Sequence, residues 1–488
     1  MKRIAIVGAG IAGVAAAYEL AQLQRSGVAV EFVLFESTAR LGGIVETERR
    51  DGFVVECGPD SWVTEKPWAR ELAVELGLGD EILTSNDQWR RTYLAEDRKL
   101  APMPDGMRMM VPTNWAAILN SPLFGWQAKL AYLREPKMAE QLKANALDAQ
   151  TPPHDESVRD FTCRHFGAEV ADTLAAPLLA GVFGGDIATL SVRAVMPAFV
   201  ALEREHGSLI LGLQERLRQK TSRDAVFTTL RHGLGGLIDG MEARIPVTSI
   251  RRNRPVLALE RSPEGWHMRT GHSEFAPNDL FDAVLIATPT HATATLLTPL
   301  DARIPELLPQ QASSAIVVAL AFAPEQAHSL RIPRGFGFLV PQRKPAPSES
   351  AHDTPAIRAR HALLACTFVD QKFPHRTPPG AVLLRGFFGG ADAPSLLEES
   401  NATLAHLAAE SLGRILGKLP DPSFTVVRRW PRSLPLYAVG HLERMAELDD
   451  RISLLPGLQL IGNAYNGVGL PDLVRSGRAA AKIAADQP

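Results

Sequence analysis

The sequence predicts an α/β fold: a discontinuous domain on a parallel sheet, a mixed-sheet domain and a small helical domain. Residues 1–43 read as strand, glycine turn, helix and strand, the order that builds a parallel sheet with a ligand at its carboxyl edge. Residues 458–485 read as strand, glycine turn and helix again. Between them lie a helix-rich stretch and a strand-rich stretch, and 488 residues exceed one compact core.

The first element is the apolar run Ile4-Ala5-Ile6-Val7 after Lys2-Arg3. Gly8-Ala9-Gly10-Ile11-Ala12-Gly13 follows, then a helix from Val14 to Ala21. Gly8 permits the tight turn, Gly10 lets backbone approach a pyrophosphate, and Gly13 lets helix and strand touch. The second strand, Val28–Phe35, ends in Glu36, roughly 20 residues past the last glycine, where an acid accepts hydrogen bonds from a ribose. The glycine pattern and Glu19 argue against a secretory leader. After Ser37, Arg40-Leu41-Gly42-Gly43 gives a second glycine surface that can face a cofactor.

These motifs resemble the extended dinucleotide motif of FAD oxidases, which include amine oxidases, carotenoid desaturases and protoporphyrinogen oxidases. The resemblance implies a Rossmann-like FAD domain.

Asp51-Gly52 signals a hairpin between Ile44–Arg50 and Phe53–Cys57. Gly58-Pro59-Asp60-Ser61-Trp62 follows as a turn, with Ser61 or Thr64 a candidate cap for a helix over Trp68–Leu78. This "GPDS" plus aromatic, soon after a double glycine, resembles the oxygen-dependent protoporphyrinogen oxidases and their bacterial coproporphyrinogen-oxidising relatives. In that family the segment borders the flavin ring. Asp60 is the nearest carboxylate to the flavin motifs, and a helix cap is the role expected of it.

Arg90-Arg91-Thr92-Tyr93-Leu94 reads as a strand and Arg98–Pro104 as its return. The family places an arginine for a substrate propionate here; Arg91 is the nearer match, with Arg90 open. A planar guanidinium binds a carboxylate bidentately, and a solvated basic pair explains the residues equally well.

Residues Met107 to about Val200 have helical periodicity, with Asn114 and Ser121 as caps. Trp115 to Trp126, with Lys129, Arg134 and Lys137 beyond, suits either a peripheral membrane contact or the core of a helical domain. Thr151–His154 is a linker. Helices are expected over Asp155–Phe166 and Ala168–Ala176. Gly181–Asp186 follows a helix, so it is not a phosphate loop; the resemblance makes Phe183 an apolar wall of the substrate cavity.

In that family Phe227–Leu230 and Leu237–Ala243 would resume the nucleotide domain. Ile245–Ile250 reads as a short strand in which the resemblance has Val247 offering backbone to the adenine. Val256–Glu260, Gly265–Arg269 and Asp282–Pro289 are strands, the last one buried. Ala315–Phe322, Gly335–Val340, Leu363–Phe368 and Val382–Phe388 build the substrate sheet, with a helix at Ser395–Leu412 and a surface loop at Pro341–Pro355. Trp430–Tyr437 resembles the family's return to the FAD domain, with Trp430 near the cofactor. Leu458–Ile461 is a strand before Gly462-Asn463 and Gly469-Leu470-Pro471, and a helix Leu473–Ala485 follows. The N–H groups of Gly469 and Leu470 are placed for a flavin edge.

The divisions that follow are 1–85, 225–298 and 430–488 for FAD, 86–106 and 299–429 for substrate, and 107–224 for the helical domain. A net charge of −2 gives no reason to expect nucleic acid. Cys57, Cys163 and Cys366 lack metal or disulfide spacing, which suits reduced thiols and a cytoplasmic setting. No run reaches the ~18 apolar residues of a spanning helix.

No Ser-His-Asp order, HExxH or Walker lysine appears, so a flavin is the expected electron acceptor. No dedicated base stands out, and His441 reads as structural. The resemblance implies a porphyrinogen substrate, dioxygen as acceptor, hydrogen peroxide as product and handover to a ferrochelatase. The alternatives are an amine or carotenoid oxidase of the same group, or a flavin-holding tetrapyrrole carrier. Oligomeric state is not legible.

Overall fold

The structure is a computed structural model that describes residues 1–96, 99–146, 154–219, 225–271, 280–341 and 354–486. Arg98, the linker residues 151–153 and most of the expected loop Pro341–Pro355 lie outside the described residues.

The first half of the fold is built on a five-stranded parallel sheet. Its strand order is Ile250–Arg251, Val30–Phe35, Lys2–Val7, Ala283–Ile286 and Leu458–Leu460. Ile4, Ala5 and Ile6 are fully buried, as expected of a central strand covered on both faces. The helices Ile11–Arg25 and Leu470–Asp486 pack on each other, and a Cβ at Gly477 would stand 2.1 Å from the Ala12 carbonyl oxygen. The chain's two ends thus meet through a glycine contact.

The second half is a seven-stranded sheet in the order Phe424–Pro435, Ala312–Phe322, Val382–Phe388, Leu363–Phe368, Gly337–Leu339, Thr92–Glu96 and Lys99–Pro102. Its pairings are antiparallel except for Gly337–Leu339 with Thr92–Glu96. Leu320, Phe322, Phe368 and Leu412 fill the space between this sheet and the helix Asn401–Leu416. The strand Phe424–Pro435 runs through residue 430, so the chain leaves this sheet only after Pro435.

The helical part has a core of Tyr132, Phe161, Phe166 and Leu174. At its centre the His165 ring nitrogens lie 3.0 Å from Glu135 and 3.0 Å from Glu203, all fully buried. Burial opposes the charge on His165, but the two carboxylates outweigh it and raise its pKa above the ordinary value. Among the described residues no helix is long and apolar enough to cross a membrane.

Several local expectations need correction. Arg90 and Arg91 precede the strand Thr92–Glu96; Arg90 closes a 3-10 turn at Asp87–Trp89. Val247 lies in a 3-10 turn, Val247–Ser249, and the strand begins at Ile250. Met107–Arg108 pairs with Val111–Pro112 as a small hairpin ahead of the helices. Asn114 does cap a helix, through a 3.3 Å bond from the Ala117 N–H, whereas Ser121 accepts only a local bond from Leu123. The helix Trp68–Glu75 starts at Pro67 with no side-chain cap, so neither Ser61 nor Thr64 nor Asp60 caps it. A helix over His441–Ser453, absent from the sequence reading, presents Met445, Leu448 and Ile452 to the nucleotide-domain core.

Candidate functional site

Gly8 has φ +100°, and a Cβ there would sit 2.9 Å from the Ala287 carbonyl oxygen. Gly13 tolerates no side chain either, since its Cβ would fall 2.0 Å from the Gly8 oxygen. Gly10 differs. Its φ is −63°, and a Cβ would meet no atom within 4 Å. The space over Gly10 is therefore open, at the head of a helix with no capping side chain and no acid in its first turn. Ile11 and Ala12 form that first turn and are buried. Such a helix start directs N–H groups and positive potential outward.

The double-glycine turn lies beside it. Gly10 and Gly42 form a bridge, the Gly42 N–H donates to Ala9 at 2.7 Å, and a Cβ at Gly43 would be 3.2 Å from the Gly10 Cα. Arg40 shapes this turn from beneath, donating to the carbonyls of Leu41 at 2.9 Å, Val45 at 3.0 Å, and Gly43. Glu36 is fixed at the turn's edge. One carboxylate oxygen accepts from the Ala9 N–H at 2.9 Å; the other accepts from the Thr38 N–H at 2.8 Å and the Ser37 hydroxyl at 3.2 Å. The Glu36 N–H donates to Arg251, which carries the chain on from the exposed Val247 turn on the same side.

On the other side, Ile44 leads to Gly58, whose Cβ would fall 2.0 Å from the Ile44 oxygen. Trp430 Nε1 donates to the Cys57 carbonyl at 2.7 Å. Asn463 donates to the Ser433 carbonyl at 2.8 Å. The Tyr437 hydroxyl donates to the Asn463 carbonyl at 2.8 Å and accepts from the Gly467 N–H at 3.0 Å. Lys66, just after Gly58-Pro59-Asp60-Ser61, pairs at 2.5 Å with Asp472 at the start of the last helix. Gly462 is open, and Gly469 abuts Asp472 beside buried Leu470. Glu36, the two glycine turns, residues 58–61, Trp430 and residues 462–470 therefore follow one another in space.

Arg91 is half-exposed, 3.9 Å from Asp105, and Arg90 lies 3.6 Å from Asp87. Phe183 is half-buried against the helical core. His441 is buried and stacked on Tyr437 at 3.9 Å; burial lowers its pKa, which suits a structural residue.

A buried ionic cluster holds the Glu56–Ser61 segment. Lys372 lies 2.9 and 3.0 Å from the two Asp60 oxygens, and Arg385 3.3 Å from one of them. Arg385 also donates to the Gly58 carbonyl at 2.5 Å. Arg376 donates to Glu56 at 2.9 Å and to the Asp60 carbonyl at 3.0 Å. Burial would raise the Asp60 carboxyl, but Lys372, Arg385 and Arg376 outweigh it and hold it far below the usual range. Asp60 is thus a poor proton acceptor. Burial pushes Glu56 up and Lys372 down, against their partners. Sequence reasoning missed the three cations. The available signal was Arg385 inside the apolar run Val382–Phe388, because a charge in a buried strand demands a partner.

A parallel sheet, an open glycine turn at its edge and a second glycine turn returned from residues 462–470 are the architecture of a flavin-dependent oxidoreductase, with a second, mixed sheet beside it. The chain belongs to the flavin containing amine oxidoreductases, the family it matches over residues 11–484. It is 31% identical to a coproporphyrinogen III oxidase of Bacillus subtilis (strain 168), over 98% of this chain and 97% of that one. It is 26% identical to a chloroplastic protoporphyrinogen oxidase of Nicotiana tabacum, over 95% of this chain and 82% of the relative. A crystal structure from Exiguobacterium sp. 255-15, called "Putative protoporphyrinogen oxidase", superposes with a TM-score of 0.80 at 32% identity, over 100% of this chain and 99% of the other.

Proposed function

We propose that this chain is an FAD-dependent porphyrinogen oxidase of haem synthesis, with coproporphyrinogen III the first substrate to test and protoporphyrinogen IX the second. The observation that carries the reading is the span of the likeness: 98% of this chain aligns with the Bacillus relative, nucleotide and substrate halves together.

The residues fit the cofactor. The open space over Gly10 takes the pyrophosphate, with Gly8, Ala9, Ile11, Ala12 and Gly13 shaping the turn and Gly42 and Gly43 closing its far side. Glu36 and Ser37 lie on the adenosine side, with Val247 beyond. Gly58–Ser61, Trp430, Gly462-Asn463 and Gly469-Leu470 would hold the isoalloxazine. When bound, the flavin supplies the two-electron acceptor. The protein contributes orientation and a site fenced from water. Arg91, with Arg90 as its alternative, takes a substrate propionate, and Phe183 forms an apolar wall.

Conversion of a porphyrinogen to the porphyrin releases six electrons and six protons, which three dioxygen molecules accept as three hydrogen peroxide molecules. Peripheral membrane contact through Met107–Trp126 and handover to a ferrochelatase belong to this reading as well. Among the tryptophans there, Trp126 is 72% exposed, whereas Trp115 packs on the helical core.

The test is anaerobic mixing of the flavin-loaded protein with coproporphyrinogen III, and separately with protoporphyrinogen IX. Bleaching of the flavin by either, then porphyrin fluorescence and peroxide on admitting air, is the expected result. A flavin that stays oxidised with both leaves a carrier or an oxidase of another substrate.

A further inference from the structure

The ionic cluster around Glu56–Ser61 is unbalanced. Lys372, Arg376 and Arg385 are three cations against the two carboxylates of Glu56 and Asp60. Both arginine side chains are at most 1% exposed, and those of Lys372 and Asp60 are 11% and 13% exposed. Arg376 Nε and Nη1 and Arg385 Nε are buried and have no hydrogen-bond acceptor among the described residues. A clamp between two domains needs no surplus charge, because an unmatched buried cation costs stability. The surplus calls for an anion that the protein does not itself supply.

All three cations come from the substrate sheet and its hairpin, residues 372–385, and all three meet the same six residues. They hold the Glu56 and Asp60 side chains and the Gly58 and Asp60 carbonyls. This is the segment against which the flavin ring lies in the reading above, on which this inference rests. A flavin that accepts an electron pair with one proton keeps an added negative charge. It loses that charge when dioxygen takes both electrons and, with two protons, leaves as hydrogen peroxide.

We propose that Lys372, Arg376 and Arg385 form a buried cationic platform that raises the reduction potential of the bound flavin, positioning charge rather than touching substrate. Fixed charges in a dry site act on developing charge without reorganisation. The platform favours flavin reduction by a substrate whose only strongly polar groups are carboxylates.

The test is the midpoint potential of the flavin in the loaded, full-length protein, measured by equilibration with a reference dye. Lys372→Met removes one cation and is expected to lower the potential by the equivalent of a tenfold change in the two-electron equilibrium, about 30 mV. Asp60→Asn removes one anion and is expected to raise it. Lys372→Arg keeps the charge and is expected to restore the wild-type value. Opposite shifts from two substitutions at one ion pair mark electrostatics, because loss of packing moves both the same way. If either of the first two variants fails to retain flavin, the other decides by the sign of its shift. Loaded variants whose potential does not move, or moves in one direction for both, overturn the platform and leave the cluster a clamp. A wild-type protein that takes up no flavin refutes the reading of the site itself.

Discussion

Gly10→Ala separates the folding of the nucleotide turn from its use. The backbone at Gly10 is ordinary for any residue, and the added methyl meets no protein atom within 4 Å. Removing glycine restricts the unfolded chain and stabilises by roughly 0.4–1 kcal/mol. Alanine is a poorer helix N-cap than glycine by a comparable amount, about 0.5–1 kcal/mol. The two terms nearly cancel, so the flavin-free protein should melt within about 2 °C of wild type. The ligand does feel the methyl. A phosphate oxygen within hydrogen-bond reach of this backbone needs the space the methyl takes, and each lost charge-assisted bond costs roughly 1.5–3 kcal/mol. Flavin affinity should therefore fall roughly 10- to 150-fold per bond. Quenching of flavin fluorescence on titration into deflavinated protein measures the affinity, and differential scanning fluorimetry measures the fold. Gly13→Ala is the contrast, because its methyl would sit 2.0 Å from the Gly8 oxygen and should prevent folding. Wild-type flavin affinity in Gly10→Ala, or a melt as low as that of Gly13→Ala, would refute the argument.

Other expectations follow from the same geometry. Glu36→Ala should weaken flavin binding by about 1.5–3 kcal/mol and slow the fully loaded enzyme far less, read from separate binding and turnover titrations. Arg91→Ala should raise KM for a propionate-bearing porphyrinogen with little change in melting, since its side chain is half-exposed; the same defect in Arg90→Ala alone would move the anchor by one residue. Burial, helped by Arg376, pushes His375 down to about 4 from its ordinary 6.5. The stability this reflects is complete above pH 6.5 and is lost as pH falls through 4, by at most roughly 3 kcal/mol. His375→Gln should flatten the acid limb of the melting curve, and an unchanged limb would remove His375 from that account. Trp126→Glu should abolish flotation with anionic liposomes if the exposed ring inserts; absence of flotation by wild type would return Met107–Trp126 to a purely structural role.

The glycine turn was legible as a turn because its constraints are local. Gly8 and Gly13 are demanded by backbone within a few ångströms, and Glu36 follows at the end of the next strand. The two sheets were legible from their apolar runs. Arg90 and Arg91 were misplaced because a 3-10 turn at Asp87–Trp89 leaves no periodic trace in three residues. Asp60 looked like a cap because turn chemistry is a local argument, whereas its partners Lys372 and Arg385 lie more than 300 residues away. His165 is hidden for the same reason: Glu135 and Glu203 reach it from two other elements. The helix His441–Ser453 was readable, since Met445, Leu448 and Ile452 follow its period, but the glycine turns on either side drew the reading away.

The contact between Gly477 and Ala12 bears on how the chain is made. The helix Ile11–Arg25 is covered by Leu470–Asp486, which is made far later. At about 5–20 residues per second, roughly 25–90 s pass between synthesis of the first helix and arrival of its cover. During that interval the small-residue face around Ala12 is bare, and the sheet lacks Leu458–Leu460 and, until late, Ala283–Ile286. The parallel sheet and its helix layer are therefore complete only once residues 458–486 have been made, and the amino-terminal strands cannot finish the domain without them. A polypeptide that stops before Leu470 keeps the glycine signature intact and lacks the helix that covers it.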